Sequence, residues 1–239
     1  MNTDFYENLD INFERACELS EKKFSHEELI NYLQTGNIPE KQIAALKLDC
    51  VKNQEEAQIL IANLTGCDGK IREAVALKIN QILSQNNNFK PFFTKDSNYE
   101  TFADATIDIN GNICRLVIDS VAILKDDKNF STKYLERIIE FINQTFKELD
   151  SFIFRDKKYV INKQLFKLYW CLEALNLFKK DIDPELLLRI LNRAIKEKEY
   201  TIREKVAQII TTWENNDFKE LIAKLQCDEN YYVREALKK

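Results

Sequence analysis

Apolar residues recur at three- and four-residue steps along most of the chain. Between 134 and 149 they fall at Tyr134, Leu135, Ile138, Ile139, Phe141, Ile142, Phe146 and Leu149, and between 186 and 195 at Leu186, Leu187, Ile190, Leu191, Ala194 and Ile195. This spacing gathers the apolar side chains on one side of a 3.6-residue helix, whereas a half-buried strand would alternate every second residue. Helix start signals agree with the pattern. Asp183-Pro184-Glu185 reads as an N-cap followed by proline at the first helical position, and Ser25 with Glu28 and Thr201 with Glu204 have capping-box spacing.

The helices repeat. The segment from Ala44 to Leu48 (AALKL) returns 31 residues later as Val75 to Ile79 (VALKI), and Val51 then corresponds to Ile82. Ile71-Arg72-Glu73, Ile202-Arg203-Glu204 and Val233-Arg234-Glu235 each open an apolar stretch, and Ile113 and Ile161 share their phase. Counted from Glu40, the phase positions are 40, 71, 113, 161, 202 and 233, with spacings of 31, 42, 48, 41 and 31 residues. Such spacings are those of helix-pair repeats carrying inserted loops. The pattern therefore predicts an all-α protein, an α-α superhelical solenoid of about six antiparallel helix pairs. It is expected to form a single domain over 1–239, with N-terminal capping helices in 1–37 and the repeat array in 38–239. Breaks between helices are expected within 84–98, 125–133, 149–158 and 214–217, where apolar helices resume at once on either side.

Composition supports helix over sheet, because 4 glycines and 3 prolines against 45% hydrophobic residues are too few for many hairpin turns. The net charge of -4 supplies no global attraction for polyanions, so nucleic acid is not the default partner. Cys17, Cys50, Cys67, Cys114, Cys171 and Cys227 are dispersed, with no C-x-x-C pair and no histidine cluster. They are expected to be small apolar fillers in a reducing compartment, and no metal or cofactor is expected. Acidic residues at Asp4, Glu7, Asp10 and Glu14 do not suit a signal peptide, and no apolar run approaches a membrane span. A cytoplasmic location without membrane contact is the expectation.

The apolar-Arg-Glu phase, continued by alanine at Ala74 and Ala236, resembles the second helix of HEAT repeats. In the last unit Asp228 stands six residues before Arg234, and Glu197 and Arg203 keep that spacing with glutamate for aspartate. The unit at Arg72 departs from the pattern, with Gly66 at the acidic position, and the units at Cys114 and Asn162 lack the arginine. The resemblance covers most of 38–239. It implies an α-α superhelix, of the armadillo type in the broad sense, whose second helices line a concave face that grips other macromolecules. It implies no reaction.

Candidate chemistry is sparse. His26 is the only histidine and has no partner motif, and no serine-hydrolase, zinc-protease, phosphate-loop or dinucleotide fingerprint occurs. Arg72, Arg203 and Arg234 recur at one phase and are expected to form a repeat-to-repeat ladder, each bonding an inter-helix carbonyl or a carboxylate such as Asp228 or Glu197. Arg115 and Asp119 interrupt an apolar run at i,i+4 spacing. They form either a local ion pair or a polar contact inside the groove. Trp170, with Tyr169 beside it, and Trp213 occupy corresponding units as core or as anchors, and Phe92 and Phe93 are either exposed or folded back onto the stack.

These features favour a non-enzymatic scaffold that holds a protein or peptide partner in its groove. The partner is expected to touch the second-helix row around Arg115, Asp119, Asn162, Tyr169 and Trp170. Two alternatives rest on resemblance. An alkylation-repair DNA glycosylase of HEAT-like build would use Trp170, Trp213 and Asp119 in an aromatic, acidic cleft, although the net charge opposes DNA. A HEAT-like phycobilin lyase has short repeats, which match the 31-residue spacings at both ends but not the central ones.

Overall fold

The computed structural model describes residues 3–95, 97–151, 158–179, 181–213 and 218–238. Every regular element among them is a helix. The chain divides into two compact units, Met1–Ser131 and Thr132–Lys239.

In the first unit, α1 (Thr3–Glu21) precedes α2 (His26–Thr35), α3 (Ile38–Lys47), α4 (Gln54–Ala62), α5 (Gly69–Gln85), α6 (Lys90–Phe93), α7 (Asn98–Thr106) and α8 (Gly111–Leu124). The first and second helices of each pair alternate along the chain. The second helices α3, α5 and α8 pack side by side, and α2, α4 and α7 flank them. The capping box of Ser25 and Glu28 closes the start of α2, and Asn37 with Glu40 does the same for α3. The apolar positions that repeat in sequence are the core: Ala44, Leu48, Val51, Val75, Ile79 and Ile82 are shielded from solvent.

The second unit holds most of α9 (Lys128–Ser151), then α10 (Lys158–Leu175), α11 (Pro184–Ala194), α12 (Tyr200–Thr211), α13 (Lys219–Gln226) and α14 (Tyr231–Ala236). Here α10, α12 and α14 are the adjacent second helices. The stripe Tyr134, Ile138, Ile142 of α9 and Leu187, Ile190, Leu191, Ala194 of α11 fill the core. Asp183 caps α11 with Pro184 at its first turn.

Several local expectations are corrected. Helix α12 starts at Tyr200 with Glu199 as its N-cap, so Thr201 is already helical and forms no capping box with Glu204. Helix α9 begins at Lys128 and leaves a shorter break than 125–133, because Asp127 caps it by accepting from the Phe130 amide at 3.1 Å. The segment 84–98 is not one open loop, since it contains a 3-10 turn at Asn87–Phe89 and α6. The break expected at 149–158 is narrower, since α9 runs on to Ser151 and α10 starts at Lys158, with 152–157 outside the described residues; the break expected at 214–217 also lies outside them.

Only two cysteines are fillers. Cys114 and Cys171 are buried, Cys50 is half-buried, and Cys17, Cys67 and Cys227 are exposed. Burial pushes the Cys114 thiol up to about 12, away from the reactive thiolate. A maleimide titration of the native protein is therefore expected to label Cys17, Cys67 and Cys227 rapidly, and Cys114 and Cys171 only after unfolding. Prompt labelling of Cys114 would contradict the packing of α8.

Candidate functional site

The arginine phase is built the same way in both units. Arg203 donates from Nη1 to the carbonyls of Glu197 and Lys198, both at 2.8 Å, and from Nε and Nη2 to the two carboxylate oxygens of Asp228 at 2.7 and 3.1 Å. Arg72 repeats this with the carbonyls of Gly66 and Cys67 at 2.8 and 3.1 Å and with Asp108 at 2.6 and 3.2 Å. One edge of each guanidinium thus ties the inter-helix turn of its own pair, and the other reaches the turn of the next. Arg234 donates to the carbonyls of Asp228 and Glu229, and among the described residues its second edge meets no carboxylate. Glu197 serves through its carbonyl only. Its carboxylate turns to Arg193.

Asp108 was not legible as a ladder residue. It lies six residues before Cys114, whose thiol donates to the Asp108 carbonyl at 3.1 Å, so a cysteine stands where the phase elsewhere has arginine. The overlooked signal is the pair Asp108-Ile109-Asn110 and Asp228-Glu229-Asn230. In both, the aspartate accepts the asparagine amide at 2.8 Å, and the asparagine side chain caps the following second helix at 2.9 Å. Burial works to raise the Asp228 carboxyl, but the hydrogen bonds from Arg203 and the Asn230 amide, with the charges of Arg203 and Arg234, outweigh it and hold it below the usual carboxylate range.

Arg115 and Asp119 are both exposed on α8 in the first unit. Arg115 donates to Asn112 at 2.6 Å, one turn back, and not to Asp119, so the local ion pair is absent. Asn162, Tyr169 and Trp170 stand together in the second unit. Asn162, Leu165, Phe166, Tyr169 and Trp170 follow i, i+3, i+4, i+7, i+8 spacing on one face of α10. With Glu199, the N-cap of α12, and Thr201 and Glu204 within that helix they line an open recess of about 440 Å³. The opposite face of α10 carries Leu168, Cys171, Leu172 and Leu175, all fully shielded in the core. Helix α10 therefore has two apolar faces, where a surface helix normally has one.

The recess wall is aromatic. Trp170 meets Tyr169 edge-on at 5.2 Å and Phe166 at 6.1 Å, and Phe166 remains 36% exposed. The indole Nε1 of Trp170 is shielded from solvent and finds no acceptor among the described residues, so ring packing rather than hydrogen bonding sets its position. Lys205 of α12 lies 4.7 Å over the Tyr169 ring and donates to Glu173 at 2.6 Å.

Trp213 is not in this recess. It lies just beyond the far end of α12, edge-on to Phe218, with its indole N–H on Asn176 at 3.4 Å. The structure does not bring the two tryptophans into one cleft. His26 faces Glu56 at 2.8 Å and links α2 to α4, a contact between first helices. Phe93 is fully buried and Phe92 half-buried. Among the described residues no group of three His, Cys, Asp or Glu side chains could hold a metal ion.

Neither a protein-family profile nor a curated protein matches the sequence. Solved structures do. An engineered protein is similar over 90% of this chain and 96% of its own at 13% identity, with a TM-score of 0.50. A designed armadillo repeat protein is similar over 90% of this chain and 97% of its own, also at 13% identity and a TM-score of 0.50. The fold is an all-α repeat solenoid of the HEAT and armadillo kind. No helix among the described residues is long and apolar enough to cross a membrane.

Proposed function

We propose that the second unit is a binding platform, and that the recess between α10 and α12 receives a polypeptide segment of a partner protein. The observation that carries this reading is the second apolar stripe of α10, from Leu165 to Trp170, which lines an open recess beside α12. Large aromatics rimmed by polar groups are the usual anchors of protein recognition. The carboxylates of Glu199 and Glu204 at the rim would repel a phosphate backbone, which favours polypeptide over nucleic acid. The solenoid fold supports the reading without specifying it, since repeat arrays present extended surfaces to macromolecules. The action is binding and not catalysis, and it takes place in the cytoplasm. Arg115 and Asp119, exposed on α8, offer polar contacts on the first unit.

The test is a selection of random dodecapeptides displayed on phage against the full chain, followed by titration of the enriched peptides. In a Trp213→Phe background the remaining indole, Trp170, reports binding by fluorescence. Trp170→Ala is expected to weaken binding by about 2 kcal/mol, the scale of a buried interface anchor. Phe166→Ser, at an exposed position, is expected to weaken it while leaving the melting temperature unchanged. Peptides that bind both variants as well as the parent would exclude the recess.

A further inference from the structure

We propose that the recess selects a lysine or arginine side chain of its partner segment, a conclusion that rests on the polypeptide-binding reading above. Glu199 and Glu204 line the recess half-buried, and neither forms an ion pair with a described residue. Among the described residues Glu199 accepts only from the amide and hydroxyl of Thr201, at 3.5 and 3.4 Å, and Glu204 only from Gln208 at 3.4 Å. These contacts sit at or beyond the long end of hydrogen-bonding distance and leave most of each half-buried carboxylate without a protein donor among the described residues. The cations of the same helix are committed elsewhere, Arg203 to Asp228 and two carbonyls, and Lys205 to Glu173. Two negative charges thus face the recess bonded only to weak neutral donors; Arg203 acts on Glu199 through its charge alone, without an ion-pair contact, and Lys205 is held by Glu173 and the Tyr169 ring.

The opposite wall suits the same ligand. Phe166, Tyr169 and Trp170 present ring faces and edges, and an aromatic face attracts a cation that comes within about 6 Å of its centre. Tyr169 already takes one in this manner, from Lys205 at 4.7 Å. A long cationic side chain can lay its methylenes along Leu165 and the rings and place its head among the carboxylates. An acidic or phosphorylated side chain would meet the same two carboxylates as a repulsion. A recess of about 440 Å³ accommodates one such side chain with its flanking backbone.

The experiment uses peptides enriched in the selection on the full chain, remade with each lysine or arginine replaced singly by norleucine. One replacement per peptide is expected to weaken binding about tenfold or more, a hot-spot loss. The double variant Glu199→Gln with Glu204→Gln is expected to lose that preference while binding the norleucine peptide as the parent does. Equal affinity of the parent for cationic and norleucine peptides overturns the selection for a cation and leaves the polypeptide-binding reading standing. A double variant that keeps the full preference also overturns it. Peptides that bind Trp170→Ala and Phe166→Ser undiminished overturn both readings.

Discussion

Phe93→Ala is expected to lower the unfolding free energy by about 3–5 kcal/mol, and Phe92→Ala by less than about 1 kcal/mol. The two residues are neighbours in a polar stretch, yet α6 turns them to different surroundings. Phe93 is wholly shielded, and α6 packs against α4 and α8, so truncation leaves a cavity among helices that cannot close around it. Its carbonyl also accepts from the buried Asn98 amide at 3.1 Å, and Asn98 in turn accepts from Gln58 of α4 at 2.8 Å, which fixes the turn in place. Phe92 is only half-buried and forfeits less. Urea unfolding followed by circular dichroism would check the difference. Equal losses in the two variants would mean that the segment does not close the first unit as described.

This pair also marks where sequence legibility ends. The solenoid was legible because a helix-pair repeat imposes the same apolar spacing on each unit, and Ile71, Ile113, Ile202 and Val233 are buried as their shared phase requires. Phe92 and Phe93 lie in an insertion with no counterpart in other units, so no phase decides which of them turns inward. The candidate site divides along the same line. Asn162, Tyr169 and Trp170 could be grouped because they share one helix, whereas Glu199 and Glu204 join them only through the packing of α12 on α10, 29 or more residues on. The apolar stripe of α10 reads as core in sequence. Nothing local distinguishes a face that meets a neighbour from one that meets an open recess. Asp108 was hidden for a different reason. Its ladder partner Arg72 lies 36 residues back, and the arginine that would have flagged its own unit is Cys114.

Arg203→Ala is expected to cost about 3 kcal/mol, because it leaves the Asp228 carboxylate shielded and without its fork and strips the donor from two turn carbonyls. Arg72→Ala should match it in the first unit, where the same bonds run to Asp108 and Gly66. Arg234→Ala should cost about 1 kcal/mol, since its half-exposed side chain bonds carbonyls alone. Arg203→Lys should recover only part of the loss, an ammonium being unable to span both carboxylate oxygens and both carbonyls. The rung should also be acid-sensitive. A carboxyl held low in the folded state contributes stability that is fully present above its unfolded value of about 3.9 and is lost as pH falls through the folded value. The urea midpoint of Asp228→Asn should therefore lie well below that of the parent at neutral pH and approach it below about pH 4, as the parent loses the charge that the variant never had. If the gap stays as wide in acid as at neutrality, or if Arg203→Ala and Arg234→Ala cost the same, the Arg203–Asp228 fork is not what joins the last two helix pairs.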